Sequence, residues 1–168
     1  PGHPAWLVPE DAPTPAFPLY LVANQPATRL HSQLDFGAHS ASRKRQGREV
    51  CTLHPQDAAA RGIADGDIVR LFNARGACLA SAALSTTIMP GVAQLPTGAW
   101  YDPVEDTSGQ VALCGHGNPN ILTRDAGTSS LAQGCSGQLT SVQIERFDGA
   151  LPAIRAFEAP DAETVAGR

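Results

Sequence analysis

Hydrophobic positions in this chain fall in short runs with a two-residue period rather than in helical stripes. Leu19-Tyr-Leu-Val-Ala23, Glu49-Val-Cys-Thr-Leu53, Ile68-Val-Arg-Leu-Phe72, Ala77–Leu84, Val92-Ala-Gln-Leu95 and Thr140–Phe147 each read as a strand. The last alternates cleanly, as a strand with one buried face should. One segment breaks the pattern. His54-Pro-Gln-Asp-Ala-Ala-Ala-Arg-Gly62 predicts a short helix, with Pro55 in its first turn, alanines inside, Asp57 facing the amino-terminal dipole and Gly62 as its stop. Ile63 is placed to fold back after that stop. Ala64-Asp-Gly-Asp67 and Asn73-Ala-Arg-Gly76 are turns, the second joining two strands as a hairpin. Residues 34–47 read as loop with a helical turn, and the polar, glycine-rich passage 96–138 carries few signals of either kind. Loops of that length in compact domains are usually functional.

About six strands with one or two helices predict a mainly β fold, a small closed barrel in which closure removes the exposed edges. Residues 1–18 hold six of the fourteen prolines and read as an extended linker segment; 19–148 form the barrel; 149–168, rich in Ala, Pro, Glu and Asp, read as a loose carboxy-terminal tail.

Composition narrows the class. With 42% hydrophobic and 17% charged residues the chain is globular, and aromatic residues at 5% leave the core to Val, Leu, Ile and Ala. A formal charge of −4 gives no footprint for nucleic acid or an anionic membrane, and no run approaches the roughly 18 apolar residues of a membrane span. Basic residues gather once, at Arg43, Lys44, Arg45 and Arg48; a solvated loop face is the ordinary reading of so short a run, and a phosphate-facing loop is the functional one. Cys51, Cys78, Cys114 and Cys135 are widely spaced, without zinc-site or disulfide-framework spacing. Cys51 and Cys78, in strand-like stretches, read as small hydrophobes, and free buried thiols fit a reducing compartment. An opening Pro-Gly-His-Pro in place of Met points to a piece of a longer polypeptide.

Two polar segments carry the candidate chemistry. Asn24-Gln-Pro-Ala-Thr-Arg-Leu-His-Ser-Gln33 follows the first strand directly, and His116-Gly-Asn-Pro-Asn-Ile-Leu-Thr123 has the same character. Amide, guanidinium, imidazole and hydroxyl groups at this density recognise an oxygen- and nitrogen-rich ligand. Trp100 and Tyr101, in a loop, serve either as core anchors or as walls for a flat ring. His31 and His116 read as ligand-contacting imidazoles rather than general acid–base groups, since neither has a carboxylate beside it in sequence. Ser32 next to His31 lacks the strand–turn–helix setting of a hydrolase nucleophile. Asp102, Glu105 and Asp106 could pair as acid and base, but a solvated loop face is the ordinary reading.

The ordered set of Asn24-Gln-Pro-x-x-Arg-Leu-His-Ser-Gln33, Pro55-x-Asp-Ala-x-x-Arg-Gly-Ile-x-x-Gly-Asp67, Pro90-Gly91, Gly98-Ala-Trp-Tyr-Asp102, His116-Gly-Asn-Pro-Asn-x-Leu-Thr123 and Gly127-Thr-Ser-Ser-Leu-Ala-Gln-Gly134 resembles the carboxy-terminal molybdopterin-dinucleotide-binding domain of the dimethyl sulfoxide reductase family. The branch it is most similar to reduces biotin sulfoxide, trimethylamine N-oxide and dimethyl sulfoxide. The resemblance covers about residues 1–148 and implies a six-stranded double-psi β-barrel. It further implies a molybdenum-dependent oxidoreductase whose other domains, on the same polypeptide, share a bis(molybdopterin guanine dinucleotide) cofactor and an S- or N-oxide substrate. By correspondence of motifs, Asn24, Gln25, Arg29, His31, Ser32, Gln33, Trp100, Tyr101, His116, Gly117, Asn118, Asn120 and Gln133 would contact the cofactor, with Arg29 pairing a phosphate or another acceptor. The family's protein ligand to molybdenum, a serine in this branch, lies in an earlier domain. No residue here is therefore expected to bind metal or to act catalytically, and the fragment alone is expected to be inactive. The cytoplasm is the expected compartment and the periplasm the alternative, because biotin sulfoxide reductases are cytoplasmic while most relatives are exported. The competing function is a stand-alone barrel that binds a nucleotide or protein partner without redox work.

Overall fold

The computed structural model describes residues 2–6, 8–104, 112–127, 131, 134 and 139–159. Among them, eight strands run in chain order: β1 (Leu19–Val22), β2 (Val50–Leu53), β3 (Ile68–Phe72), β4 (Ala77–Leu84), β5 (Val92–Gln94), β6 (Pro103–Val104), β7 (Leu113–Cys114) and β8 (Leu139–Arg146). Six of them close a ring in the order β2-β5-β1-β8-β3-β4, sealed by pairing of β4 with β2. Two ring contacts are parallel, β1 with β5 and β2 with β4; the other four are antiparallel. This is the double-psi barrel. The two-residue strands β7 and β6 extend the sheet from β4. They have no readable period, which is why the passage 96–138 gave no strand signal.

Small side chains allow so tight a closure. Ala77 to Ala82 of β4 are all buried, and Cys51, Cys78, Ala80, Ala82 and Ala93 share the core with Leu19, Leu21, Leu53, Val69, Leu71, Val142 and Ile144. All three described cysteines are free thiols within it.

Local chemistry sets the connections. Helix α1 is one turn (Ala38–Ala41), inside the loop where a helical turn was expected. Helix α2 (Pro55–Ala59) starts where His54 Nδ1 accepts the Gln56 amide, and it ends at Gly62, whose φ of +63° lets Ile63 return to the Ala58 carbonyl. Asp57 does more than oppose the dipole: its Oδ2 accepts the Gly91 amide at 2.7 Å and ties α2 to the turn before β5.

Segments near both ends of the described residues are fastened to the barrel. At the amino-terminal side Asp11 pairs with Arg75 at 2.7 Å, Glu10 pairs with Arg124, and Phe17 meets Phe72 edge-on. At the other end, residues 149–159 are not the loose tail expected for 149–168. They turn back over the barrel, where Arg48 donates to the Pro152 carbonyl at 2.6 Å and Asp102 accepts the Arg155 amide at 3.1 Å. Residues 160–168 lie outside the described set.

Candidate functional site

The loops after β1, β5 and β7 gather at one end of the barrel. Pairing of β1 with β5 persists past the strands, with Leu95 N–H donating to the Val22 carbonyl and Thr97 N–H to that of Asn24. The two loops then meet at Gly98, whose φ is +90°; a β-carbon there would stand 1.8 Å from the carbonyl oxygen of His31. Only glycine permits this approach. The third loop enters at Gly117, with φ of +94°, where a β-carbon would lie 2.7 Å from Cβ of Glu49.

Trp100 joins all three loops. Its amide donates to Asp35 Oδ2 at 2.9 Å, its indole Nε1 donates to the Ser32 carbonyl at 2.8 Å, and its own carbonyl lies 3.0 Å from His116 Nδ1. Because a carbonyl can only accept, Nδ1 of His116 carries the proton. The indole packs edge-on against the rings of Phe36 and Phe157, at 5.6 and 5.4 Å.

Beneath these loops lies a buried ion network. Arg29 donates to Glu49 Oε2 at 2.6 Å, to the Thr97 carbonyl at 2.8 Å and to Ser40 Oγ at 3.0 Å, and it approaches Asp35 at 3.4 Å. Lys44 reaches Asp35 at 2.9 Å and Glu49 at 3.3 Å. Two cations thus neutralise two carboxylates, the balance that lets charges stay out of water. Burial pushes the Asp35 carboxyl up, but Lys44, the Trp100 amide and Arg29 together hold it below its usual range. His116, fully buried, is held below its ordinary value by burial and by Lys44, so it is neutral. Its Nε2 has no hydrogen-bond partner.

Of the residues expected at the site, His31, Ser32, Trp100, Tyr101, Asn118 and Asn120 line one cleft of about 410 Å³, completed by Thr97, Gly98 and Ala99. Among the described residues, none of the lining groups is a carboxylate, lysine or arginine. Asn24 lines a second cleft of about 360 Å³ on the other side of its loop, with Thr28, His39, Arg43 and Thr52 among its neighbours. The Asn24 Oδ1 is buried without a partner. Gln25 is exposed, its amide donating to the Arg29 carbonyl of the same loop at 2.9 Å, and Gln33 is exposed too; neither lines a cleft. Gly117 contributes a close backbone pass rather than a side chain.

Three further placements bear on the site. The Nη1 and Nη2 donors of Arg29 are taken by protein acceptors, its Nε is buried without a partner, and Arg29 lines neither cleft. His116 likewise lines neither cleft and supports Trp100. Asp102 is 5% exposed rather than part of a solvated face, because it accepts the Arg155 amide. Glu105, Asp106, Cys135 and Gln133 lie outside the described residues. Of the basic cluster, Lys44 is in the ion network, Arg45 pairs with Asp65, and Arg48 is buried; Arg43 remains exposed beside the second cleft. Asp35 and Glu49 were missed by sequence reasoning, and Lys44 was noted only as part of the basic cluster. A carboxylate heading the apolar run of β2 was the available sign, since charge at a strand's buried end needs a partner.

The fold is a double-psi barrel domain with a cleft lined, among the described residues, by amide, hydroxyl, imidazole and aromatic groups. The model of the molydopterin dinucleotide binding domain matches residues 19–141, and the chain belongs to that family. Over 160 residues it is 48% identical to a biotin sulfoxide reductase of Cereibacter sphaeroides, covering 94% of this chain and 21% of the relative. A trimethylamine-N-oxide reductase of Haemophilus influenzae is 47% identical, with 95% and 20% covered; a dimethyl sulfoxide/trimethylamine N-oxide reductase of Rhodobacter capsulatus is 42% identical, with 96% and 20% covered. The chain therefore spans about a fifth of the length of these relatives. Among solved structures, acetylene hydratase from Pelobacter acetylenicus matches with a TM-score of 0.59 at 16% identity, covering 78% of this chain and 18% of that one. That likeness concerns the fold alone. The ligand class is a molybdopterin cofactor.

Proposed function

We propose that this chain is the cofactor-binding domain of a longer molybdenum-dependent oxidoreductase that removes an oxygen atom from S- or N-oxides such as biotin sulfoxide, trimethylamine N-oxide or dimethyl sulfoxide. The names of its relatives support the reaction class. The carrying observation is the cleft in which His31 and Ser32 face Asn118 and Asn120 across Trp100 and Tyr101.

The residues fit the group. A pterin presents amide and amino edges, which match side chains able both to donate and to accept, as Asn118, Asn120 and Ser32 can. Tyr101 and the indole of Trp100 add apolar wall beside them. When bound, the cofactor supplies two-electron redox chemistry at its metal. The protein's part is to bind and orient it. His31 is the imidazole placed to hydrogen-bond the ring system and adjust its electron density. Arg29 and His116 act indirectly, by fixing the loops. We assign the guanine dinucleotide form, in two copies shared with the remaining domains of the polypeptide.

The full-length enzyme should reduce at least one of biotin sulfoxide, methionine sulfoxide and trimethylamine N-oxide; inertness toward all three would overturn the reaction class. Replacing His31 by Ala should lower turnover, and unchanged cofactor content together with unchanged turnover would remove its role.

A further inference from the structure

Residues 149–159 contact the barrel at several points, among them the ring of Trp100 that lines the first cleft. Phe157 meets the indole of Trp100 at 5.4 Å and the imidazole of His116 at 5.0 Å, edge-on to both. Trp100 is thereby in edge contact with both Phe36 and Phe157. The same segment places Ile154 where Gly47 has no side chain, its Cδ1 lying 2.6 Å from the position a β-carbon would take.

Its backbone is held by two charged residues that are themselves buried, Arg48 at 3% exposure and Asp102 at 5%. Arg48 donates to the Pro152 carbonyl at 2.6 Å, and Asp102 accepts the Arg155 amide at 3.1 Å. Asp102 follows Trp100-Tyr101 directly, and Arg48 precedes Glu49 of the ion network. Charged groups in such places are costly unless each has a partner. Here the returning segment supplies one to each. Arg155 and Glu158 then close a turn, through a 2.9 Å backbone bond and a 3.1 Å ion pair, that presents Phe157.

We propose that residues 150–158 form a strap that sets the position of Trp100 and His116, with Phe157 as a positioning residue for the cofactor cleft. The strap rests on the cofactor-binding reading of that cleft, but the geometry it imposes exists before any ligand arrives. Phe157 lines neither cleft, so it acts through the rings of Trp100 and His116.

The test uses the full-length protein with Phe157→Ala and Phe157→Leu, in cofactor-free and cofactor-loaded form. Peptide-level hydrogen exchange on the cofactor-free protein reads the strap directly. Protected amides in the loops include Trp100 N–H on Asp35, Gly115 N–H on Asp102 and Glu49 N–H on His116. Phe157→Ala should speed exchange at these by about tenfold and leave β3 and β8 unchanged, and cofactor release should quicken by a similar factor. Phe157→Leu, which keeps apolar cover but loses the ring edges, should show about a threefold effect and carries the comparison if the alanine variant does not fold. Unchanged exchange at the three loops would overturn the strap even if wild-type protein holds its cofactor. Faster exchange in a protein that never takes up a molybdopterin would instead overturn the cofactor reading and leave the strap standing.

Discussion

Gly98 passes so close to His31 that an added β-carbon would stand 1.8 Å from the histidine's carbonyl oxygen. The contact fixes the spacing of two loops that line the same cleft, and it leaves His31 itself at φ of +50°, a conformation non-glycine residues seldom adopt. Gly98→Ala should therefore cost more than about 2 kcal/mol in chemical denaturation, from strain plus backbone overlap. Gly62→Ala is the control. Its φ is also positive, at +63°, but no atom lies within 4 Å, so only the conformational cost of about 1 kcal/mol applies. Equal losses at the two positions would contradict the loop-spacing role.

Arg29→Met removes one cation from a four-charge buried network and leaves Lys44 to serve both Asp35 and Glu49. Breaking a buried pair from one side costs about 3–5 kcal/mol, which urea unfolding should register. Arg146→Ala removes an ion pair to Asp148 whose side chains are 53% and 70% exposed, and it should change stability by less than about 1 kcal/mol.

Acid should weaken the fold in two stages. His116 has a folded pKa below its ordinary 6.5, owing first to burial and then to Lys44, against the opposing pull of the Trp100 carbonyl, Asp35 and Asp102. Below 6.5 the unfolded chain takes up the proton that the folded chain refuses, so stability falls with pH by at most about 1.4 kcal/mol per unit until the folded pKa is reached. Asp35 has a folded pKa below 3.8, so its contribution is present above that value and is lost only as pH falls through the lowered one. His116→Gln should flatten the upper stage and leave the lower, as measured by unfolding midpoints across pH.

Burial pushes the Cys51 thiol up to about 12 and that of Cys78 well up too. In a Cys135→Ser background the native protein should resist iodoacetamide at mildly alkaline pH, and all remaining thiols should react once it is unfolded. Rapid alkylation of the native state would mean that the barrel opens readily.

The barrel was legible because its six strands alternate or run apolar between Gly, Pro and Asn breaks, and α2 because Pro55, the alanines and Gly62 mark both of its ends. The cleft was legible as chemistry: His31, Ser32, Asn118 and Asn120 are polar in segments where a core would need none. Depth was not legible. Arg29 and His116 look like ligand contacts in sequence, and only the distant partners Glu49, Asp35 and the Trp100 carbonyl show that they are internal supports. The strap was missed for the same reason. Phe157 stands alone among Ala, Pro and Glu, and its partners at Trp100 and His116 are far away along the chain.

Cofactor content of the full-length polypeptide tests the central claim most directly. Tyr101 and Asn120 both line the first cleft and are exposed there. Replacing both by Ala should lower molybdenum and molybdopterin per polypeptide at least about tenfold, roughly the 1.4 kcal/mol or more that lost ligand contacts represent, while the unfolding midpoint stays unchanged. Wild-type cofactor content in the double variant would contradict the assignment of this cleft.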